Sequence, residues 1–466
     1  MRQGIGSAEA PLRVAVVGAG PAGFYTAEAL LDSGVAVEVD LLEQLPVPYG
    51  LVRYGVAPDH ARLKSVTAVF AQIAQRPGLR FHGDVALGDA VSAQELGALY
   101  DAVAVCTGID GDQPLGIEGE ALPGVHAARD LVAWYNSRPG AQDLAIDLSQ
   151  EVAVIVGQGN VAIDLCRILA SPVDRLRGTD IAEHALQALA HSRLREIHLV
   201  GRRGPVQARF TPKELRELGT LPGWHVAVDP VDLQLGAACQ AEAADPAAVH
   251  AARNLAQLQA YAAQPAPAGA RLIRLHFHTA PLRLLGPQRL RAVELQPQRL
   301  DGPAGRQRAV PAGPPLRLPA GLLLRSVGYR GRPLPGLPFE ALGGTLPQAG
   351  GRLLEPDGSV RGGWYAAGWV KRGASGVIGS NRACAAETVA SLLADLPQLA
   401  AARGRRGTPA GRDGLAALLR ARGRSALGFD AALAIEQAER VRGAATGKAA
   451  EKFICLDQMR AAARPL

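Results

Sequence analysis

Cysteine is scarce in this chain of 466 residues: Cys106, Cys166, Cys239, Cys384 and Cys455 are the only five, and none stands in a C-x-x-C pair or at a metal-ligand spacing. That scatter excludes the usual ligand set of an iron–sulfur cluster and the redox-active dithiol of a thiol–disulfide enzyme, so buried thiols and no metal site are expected. Long apolar runs are missing too. None approaches the roughly 20 residues that cross a bilayer, and Met1 to Arg13 lacks the apolar core of a secretory signal, so the expected location is the cytoplasm, with no membrane span. Aromatic residues make up only 4% of the chain, and lysine supplies just five of its 50 basic residues. The formal charge of +7 sits at one end: residues 401–466 hold 13 Lys/Arg against 6 Asp/Glu, and the preceding 400 residues balance. Such a segment would suit an acidic protein or a nucleic acid. No stacking aromatics interleave its arginines, which favours a solvated surface and no nucleic-acid partner.

What is present in quantity is globular. A hydrophobic content of 48% with 20% charged residues is that of a soluble folded protein, and the length calls for two domains or at most three. Two glycine-rich turns then stand out. The first, Gly18-Ala19-Gly20-Pro21-Ala22-Gly23, follows the apolar run Val14 to Val17, opens a helical stretch ending near Gly34, and has Glu43 20 residues past its third glycine. The second, Gly157-Gln158-Gly159-Asn160-Val161-Ala162, follows Val152 to Val156; the next strand-like segment, Ile197 to Val200, ends in Gly201-Arg202-Arg203. Glycines there let main chain approach a pyrophosphate, which faces the N–H groups and positive dipole of a helix start. An acid at the end of the following strand accepts hydrogen bonds from a free ribose diol, whereas paired arginines suit a 2′-phosphate. The contrast predicts FAD at the first turn and NADP at the second.

The order of elements reads as one dinucleotide-binding domain interrupted by another, in an α/β fold of two Rossmann-like domains. Strand, turn, helix and strand run from Arg13 to Glu43, followed by a Pro/Gly-rich loop from Pro46 to Pro58 and a helix from His60 to about Gln75. A buried strand spans Tyr100 to Cys106. The pattern returns at Trp364 to Ala367, after which a helix from about Asn381 to Leu393 follows, with Ser380 as its N-cap. Expected boundaries are 1–107 for the first part of the FAD domain, 108–330 for the NADP domain, and 331–466 for the second part with a C-terminal extension. Leu300 to Pro319, loaded with Pro, Gly and Arg, reads as a surface loop or hairpin.

Five blocks between and after the turns resemble one family. Pro48-Tyr49-Gly50-Leu51-Val52-Arg53-Tyr54-Gly55-Val56-Ala57-Pro58-Asp59-His60 is similar to a signature of the adrenodoxin reductase type of ferredoxin–NADP reductase, bacterial members included. So are Gly157 to Asp164, Gly201-Arg202-Arg203-Gly204-Pro205, Glu214-Leu215-Arg216-Glu217-Leu218, and Gly368-Trp369-Val370-Lys371-Arg372-Gly373 with Gly376-Val377-Ile378-Gly379-Ser380-Asn381. The resemblance implies a glutathione-reductase-like arrangement with the NADP domain inserted into the FAD domain. It also implies FAD contacts at Gly18, Gly20, Ala22, Gly23, Glu43, Leu51, Val85, Trp369, Gly376, Val377 and Ile378. Gln158, Gly159, Asn160 and Val161 would meet the NADP pyrophosphate, Arg202 and Arg203 its 2′-phosphate, and Glu214 would lie near its nicotinamide, with Gly376 as a further NADP contact. A helix starting near Ser380 would aim its positive end at the flavin ring.

His60 and Glu214 are the ionisable positions the resemblance implies as catalytic, orienting the carboxamide or supporting a proton path, although a histidine after Pro58-Asp59 equally suits a helix entry. Lys213 and Arg209 read as surface residues in preference to a role in steering the cofactor. The implied chemistry is hydride transfer from NADPH to the flavin, followed by single-electron transfer to a ferredoxin-type iron–sulfur protein, or a flavodoxin, in either direction. A monomer is the family default. Alternatives that share both turns are a monooxygenase, which needs a substrate cavity, the electron-input subunit of a glutamate synthase-like complex, which needs cluster cysteines, and a non-catalytic NADP-sensing flavoprotein.

Overall fold

The computed structural model describes residues 5–463, which gather into two compact units. The first contains the chain up to Val56, His60–Asp112 and the chain from Gly328; the second contains Ala57–Asp59 and Gln113–Val327. These borders lie a few residues inside the expected 107 and 330. Gly111–Asp112 pairs in antiparallel fashion with Tyr329–Arg330, so both stretches stay with the first unit. Ala57, fully buried in the core of the second unit, draws its short stretch there.

The first unit is built on a seven-stranded sheet in the order Gln348–Ala349, Arg352–Leu354, Val360–Ala366, Ala102–Val105, β1 (Leu12–Val17), β2 (Val37–Leu42) and Leu79–His82. The last five run parallel, and the first two complete the sheet as an antiparallel ribbon. Successive strand residues point to opposite faces. In β1, Leu12, Val14 and Val16 accordingly enter one core, while Ala15 and Val17 enter another, as in a sheet covered on both sides. Helix α1 (Pro21–Leu31) starts with proline at its first position, where the fixed φ suits a helix and the missing N–H costs nothing. Its Phe24 stacks on Phe70 with ring centroids 4.9 Å apart, and burying such a ring contributes about 2–3 kcal/mol.

Two local expectations are corrected and a third is narrowed. The helix expected from His60 to Gln75 is two, Ala61–Lys64 and Thr67–Ala74. Between them the Ser65 hydroxyl donates to the Arg62 carbonyl (2.8 Å) and the Thr67 hydroxyl to the Lys64 carbonyl (3.0 Å), drawing off acceptors a continuous helix would use. Ser380 is not an N-cap: Gly379 holds that position, and the Ser380 hydroxyl donates back to the Val377 carbonyl at 2.6 Å. Of the loop or hairpin expected at 300–319, the hairpin is what forms: Ala292–Asp301 pairs antiparallel with Arg308–Pro311 and with Leu316–Pro319, and Thr279–Leu285 completes a four-stranded sheet.

The basic C-terminal segment is less free than a solvated surface would be. Arg403 (Nε, 2.8 Å) binds the buried Asp101, and Arg422, Arg424 and Arg460 reach Glu95 (2.6 Å), Asp89 (2.7 Å) and Asp84 (2.8 Å). These arginines tie the helices Leu396–Arg406, Gly411–Ala421 and Leu456–Ala462 to acids in the first hundred or so residues of the same unit.

The second unit has a six-stranded, wholly parallel sheet in the order Val125–Ala127, Leu322–Arg325, Val152–Val156, Glu196–Val200, Arg271–His276 and Trp224–Val228. Ala153 and Ile155 face one core and Val154 and Val156 the other, repeating the two-sided burial of β1.

Candidate dinucleotide-binding sites

In the first unit three separate sequence blocks converge on the start of α1. Gly18 has φ +106°, and a Cβ there would lie 2.6 Å from the Cys106 carbonyl oxygen; a Cβ on Gly23 would lie 1.9 Å from the Gly18 carbonyl oxygen. Only glycine permits this turn. Gly20 occupies the N-cap with no side-chain bond to the first turn, and Gly50, just before Leu51, comes so close that its Cβ would stand 3.1 Å from the Gly20 Cα. Gly368, just before Trp369, presses on Ala22 in the same way, with 2.5 Å between the added Cβ and the Ala22 Cβ. Such a bare cradle of main chain at a helix start fits a pyrophosphate.

Glu43 lies one residue past β2 and is buried. Its Oε2 accepts from the Ala19 N–H at 3.0 Å and its Oε1 from the Leu45 N–H at 3.2 Å, which fixes an acceptor-only group at the end of the strand next to the turn. Val85 is buried beside it, donating its N–H to the Glu43 carbonyl at 2.9 Å. Trp369 donates its indole N–H to the Ser375 carbonyl at 3.0 Å, and its ring lies 5.5 Å from that of Tyr329. Gly376 has φ +81° and is exposed, Val377 is 71% exposed, and Ile378 is half-buried against the core. His60 takes the cap position of Ala61–Lys64 in this unit.

The second unit repeats the turn with different trimmings. Gly157 has φ +140° and a Cβ there would lie 2.2 Å from the Ser326 carbonyl oxygen, while Gly159 faces open space at the start of helix Asn160–Ala170. The Gln158 side-chain amide donates to the His276 carbonyl (2.9 Å) and packs where a Cβ on Gly201 would be, 2.0 Å from its Cδ. The turn and the arginine pair are thereby neighbours. Arg202 is exposed, Arg203 half-buried, and neither forms an ion pair among the described residues. Burial, together with the guanidinium groups of Arg209 and Arg202, pulls the Arg203 guanidinium below its ordinary value. Mutual repulsion of this kind is relieved by a dianion.

Val161 packs on the apolar core, and the Asn160 side-chain carbonyl accepts from the Thr211 N–H at 2.9 Å. Thr211 caps helix Pro212–Leu218 by accepting from the Glu214 N–H at 3.4 Å, which sets Glu214, buried, on its first turn. Lys213, 67% exposed, reaches only Glu217 at 3.7 Å. Sequence reasoning missed Arg167, which donates to Glu214 at 3.3 Å. Its signal was an Asp/Arg pair three residues apart, Asp164 and Arg167, inside an otherwise apolar helix.

Two glycine turns of this geometry, one trimmed by an acid and one by arginines, define a flavoprotein of the pyridine-nucleotide oxidoreductase class. Residues 12–218 match the family model described as pyridine nucleotide-disulphide oxidoreductase. NADPH-ferredoxin reductase FprA of Mycobacterium tuberculosis is 42% identical over 402 residues, covering 83% of this chain and 84% of the relative. The mitochondrial NADPH:adrenodoxin oxidoreductase of Mus musculus is 42% identical over 455 residues, with 95% and 90% covered. The solved structure of M. tuberculosis FprA in complex with NADPH superposes with a TM-score of 0.90 at 39% identity, covering 97% of this chain and 99% of that one. The chain belongs to the ferredoxin/adrenodoxin reductase family, with its glutathione-reductase-like fold of two Rossmann-like domains.

Proposed function

We infer that this chain is an FAD-dependent NADPH–ferredoxin reductase, and that the acid after one glycine turn and the unpaired arginines after the other carry the assignment of the two nucleotides. Bound FAD would supply the exchange between a two-electron hydride donor, NADPH, and a one-electron iron–sulfur acceptor, in either direction. The chain's own residues bind and orient. The main chain of Gly18 to Gly23 receives the FAD pyrophosphate, Glu43 the ribose hydroxyls, and Leu51, Val85, Trp369 and Gly376 to Ile378 the adenine and flavin rings. Gln158 to Val161 receive the NADP pyrophosphate, and Arg202 with Arg203 the 2′-phosphate. Glu214 and His60 orient the nicotinamide and hold a proton near it.

The residues of each unit fit these groups on physical grounds: glycines hold main chain bare at each helix start, and Arg202 and Arg203 form no ion pair among the described residues. Family membership favours this reading over a monooxygenase or a glutamate synthase-like subunit. The partner is a ferredoxin-type iron–sulfur protein, with flavodoxin as a second acceptor, and the protein works as a cytoplasmic monomer. Among the described residues no helix is long and apolar enough to cross a membrane.

Replacing both Arg202 and Arg203 with Ala tests the nucleotide assignment. Each lost charge-assisted bond costs about 1.5–3 kcal/mol, so the KM for NADPH in ferredoxin-dependent cytochrome reduction should rise on the order of a hundredfold while that for NADH moves little. Equal losses for both nucleotides would remove the 2′-phosphate role.

A further inference from the structure

Helix Asn160–Ala170 is apolar over most of its surface, yet it carries Arg167, whose side chain is only 6% exposed. A guanidinium is not buried without compensation. Four carboxylates supply it. Asp59 accepts from Nε at 2.7 Å and from Nη2 at 2.8 Å, Asp164 from Nη1 at 2.7 Å and Glu214 from Nη1 at 3.3 Å, while Glu217 lies 3.4 Å from Nη1. Although burial opposes its charge, the Asp59 and Asp164 carboxylates hold the guanidinium above its ordinary value.

The stretch bearing Glu214 is held from the same helix a second time. At the glycine turn the Gln158 carbonyl accepts from the Arg209 and Phe210 N–H groups (2.8 and 3.2 Å), and Asn160 accepts from the Thr211 N–H at 2.9 Å. The main chain leading to Glu214 is thus pinned at the phosphate turn, and its carboxylate is pinned two turns further along. The bidentate fork to Asp59 fixes the chain one residue before His60.

We propose that Arg167 is a positioning residue for hydride transfer: it sets the Glu214 carboxylate, together with that of Asp59, at a fixed place relative to the pyrophosphate turn. One rigid helix then registers both the phosphates and the nicotinamide of the same cofactor. The proposal rests on the nicotinamide role of Glu214. A purely structural ion cluster of the same composition would lower stability alone, whereas a positioning residue separates the rate from the affinity. Lysine cannot reproduce the planar fork.

The test compares holoenzymes carrying Arg167→Gln, Arg167→Lys, Glu214→Gln and the Gln/Gln double substitution. NADP+ affinity is read from the change it causes in the flavin absorbance, and hydride transfer from anaerobic flavin bleaching at saturating NADPH. Losing an orienting partner typically costs ten- to a hundredfold. Arg167→Gln should therefore bleach at least about tenfold more slowly with NADP+ affinity nearly unchanged, Arg167→Lys should fall between it and the parent, and the double variant should be no slower than Glu214→Gln. Should Arg167→Gln not fold, the intermediate rate of Arg167→Lys decides. Parental rates in the Arg167 variants, or a proportional loss of affinity and rate, overturn the proposal even if Glu214→Gln is slow. A Glu214→Gln enzyme that bleaches like the parent removes the Glu214 reading itself.

Discussion

At the scale of single residues the decisive atoms are ones that are missing. Gly23 is in a helix, where alanine is normally the better residue, but its Cβ would stand 1.9 Å from a main-chain oxygen that cannot swing aside. Gly23→Ala should therefore destabilise the first unit by about 3 kcal/mol or more and release FAD, read as a lower melting temperature with free flavin fluorescence; a holoenzyme with the parental melting temperature would refute the close approach. Such glycines were legible in the sequence because the spacing itself encodes the turn. Arg167 was not, since its partners Asp59, Glu214 and Glu217 are distant in sequence and nothing local says they meet. The same holds for Arg403, whose fully buried partner Asp101 lies 302 residues earlier. Removing one member of a buried pair leaves the other uncompensated, at about 3–5 kcal/mol. Asp101→Ala should lower the first melting transition clearly, and an unchanged melt would show that the C-terminal helices are held by their apolar contacts alone.

At the scale of elements, parallel strands were easy to read because two-sided burial makes them nearly all apolar, as in Val152–Val156. The antiparallel sheet at 279–319 was not, because its outer strands are exposed and proline-bearing, with Leu316 and Arg317 facing solvent. Two neighbouring strands of the second unit carry a further consequence. His198 and His276 stack with Nδ1 and Nε2 2.8 Å apart. Burial pushes both imidazoles down, His276 to about 4 with the help of His198 and Arg274. The unfolded chain, with its imidazoles near the ordinary 6.5, takes up protons first as the pH falls. Their contribution is thus full above about pH 6.5 and is lost progressively toward pH 4. Asp232, pushed up to about 6 mainly by burial, acts in the opposite sense. It is common to parent and variant, so His276→Gln should flatten the acid side of the stability profile by about 2–3 kcal/mol in denaturant titrations; parallel profiles would show that the pair is not held neutral.

At the scale of the whole molecule, the nested domain order and both nucleotides were legible from two turns and the charges after them. The electron acceptor was not: no residue spacing encodes a docking surface, and the iron–sulfur partner follows from family membership. Arginines are plentiful, but several of those in the C-terminal segment are occupied by internal acids, so the excess positive charge is less concentrated on that segment than the sequence suggests. An acidic ferredoxin should still dock with a salt dependence, its KM rising several-fold between about 0.05 and 0.5 M salt; indifference to salt would exclude electrostatic docking. The most direct measurement is anaerobic stopped flow on the purified flavoprotein. NADPH should bleach the bound FAD within a turnover, NADH far less effectively, and added oxidised ferredoxin should restore the flavin absorbance. A flavin that stays yellow with NADPH, or one that is bleached but never reoxidised by ferredoxin, would contradict the account.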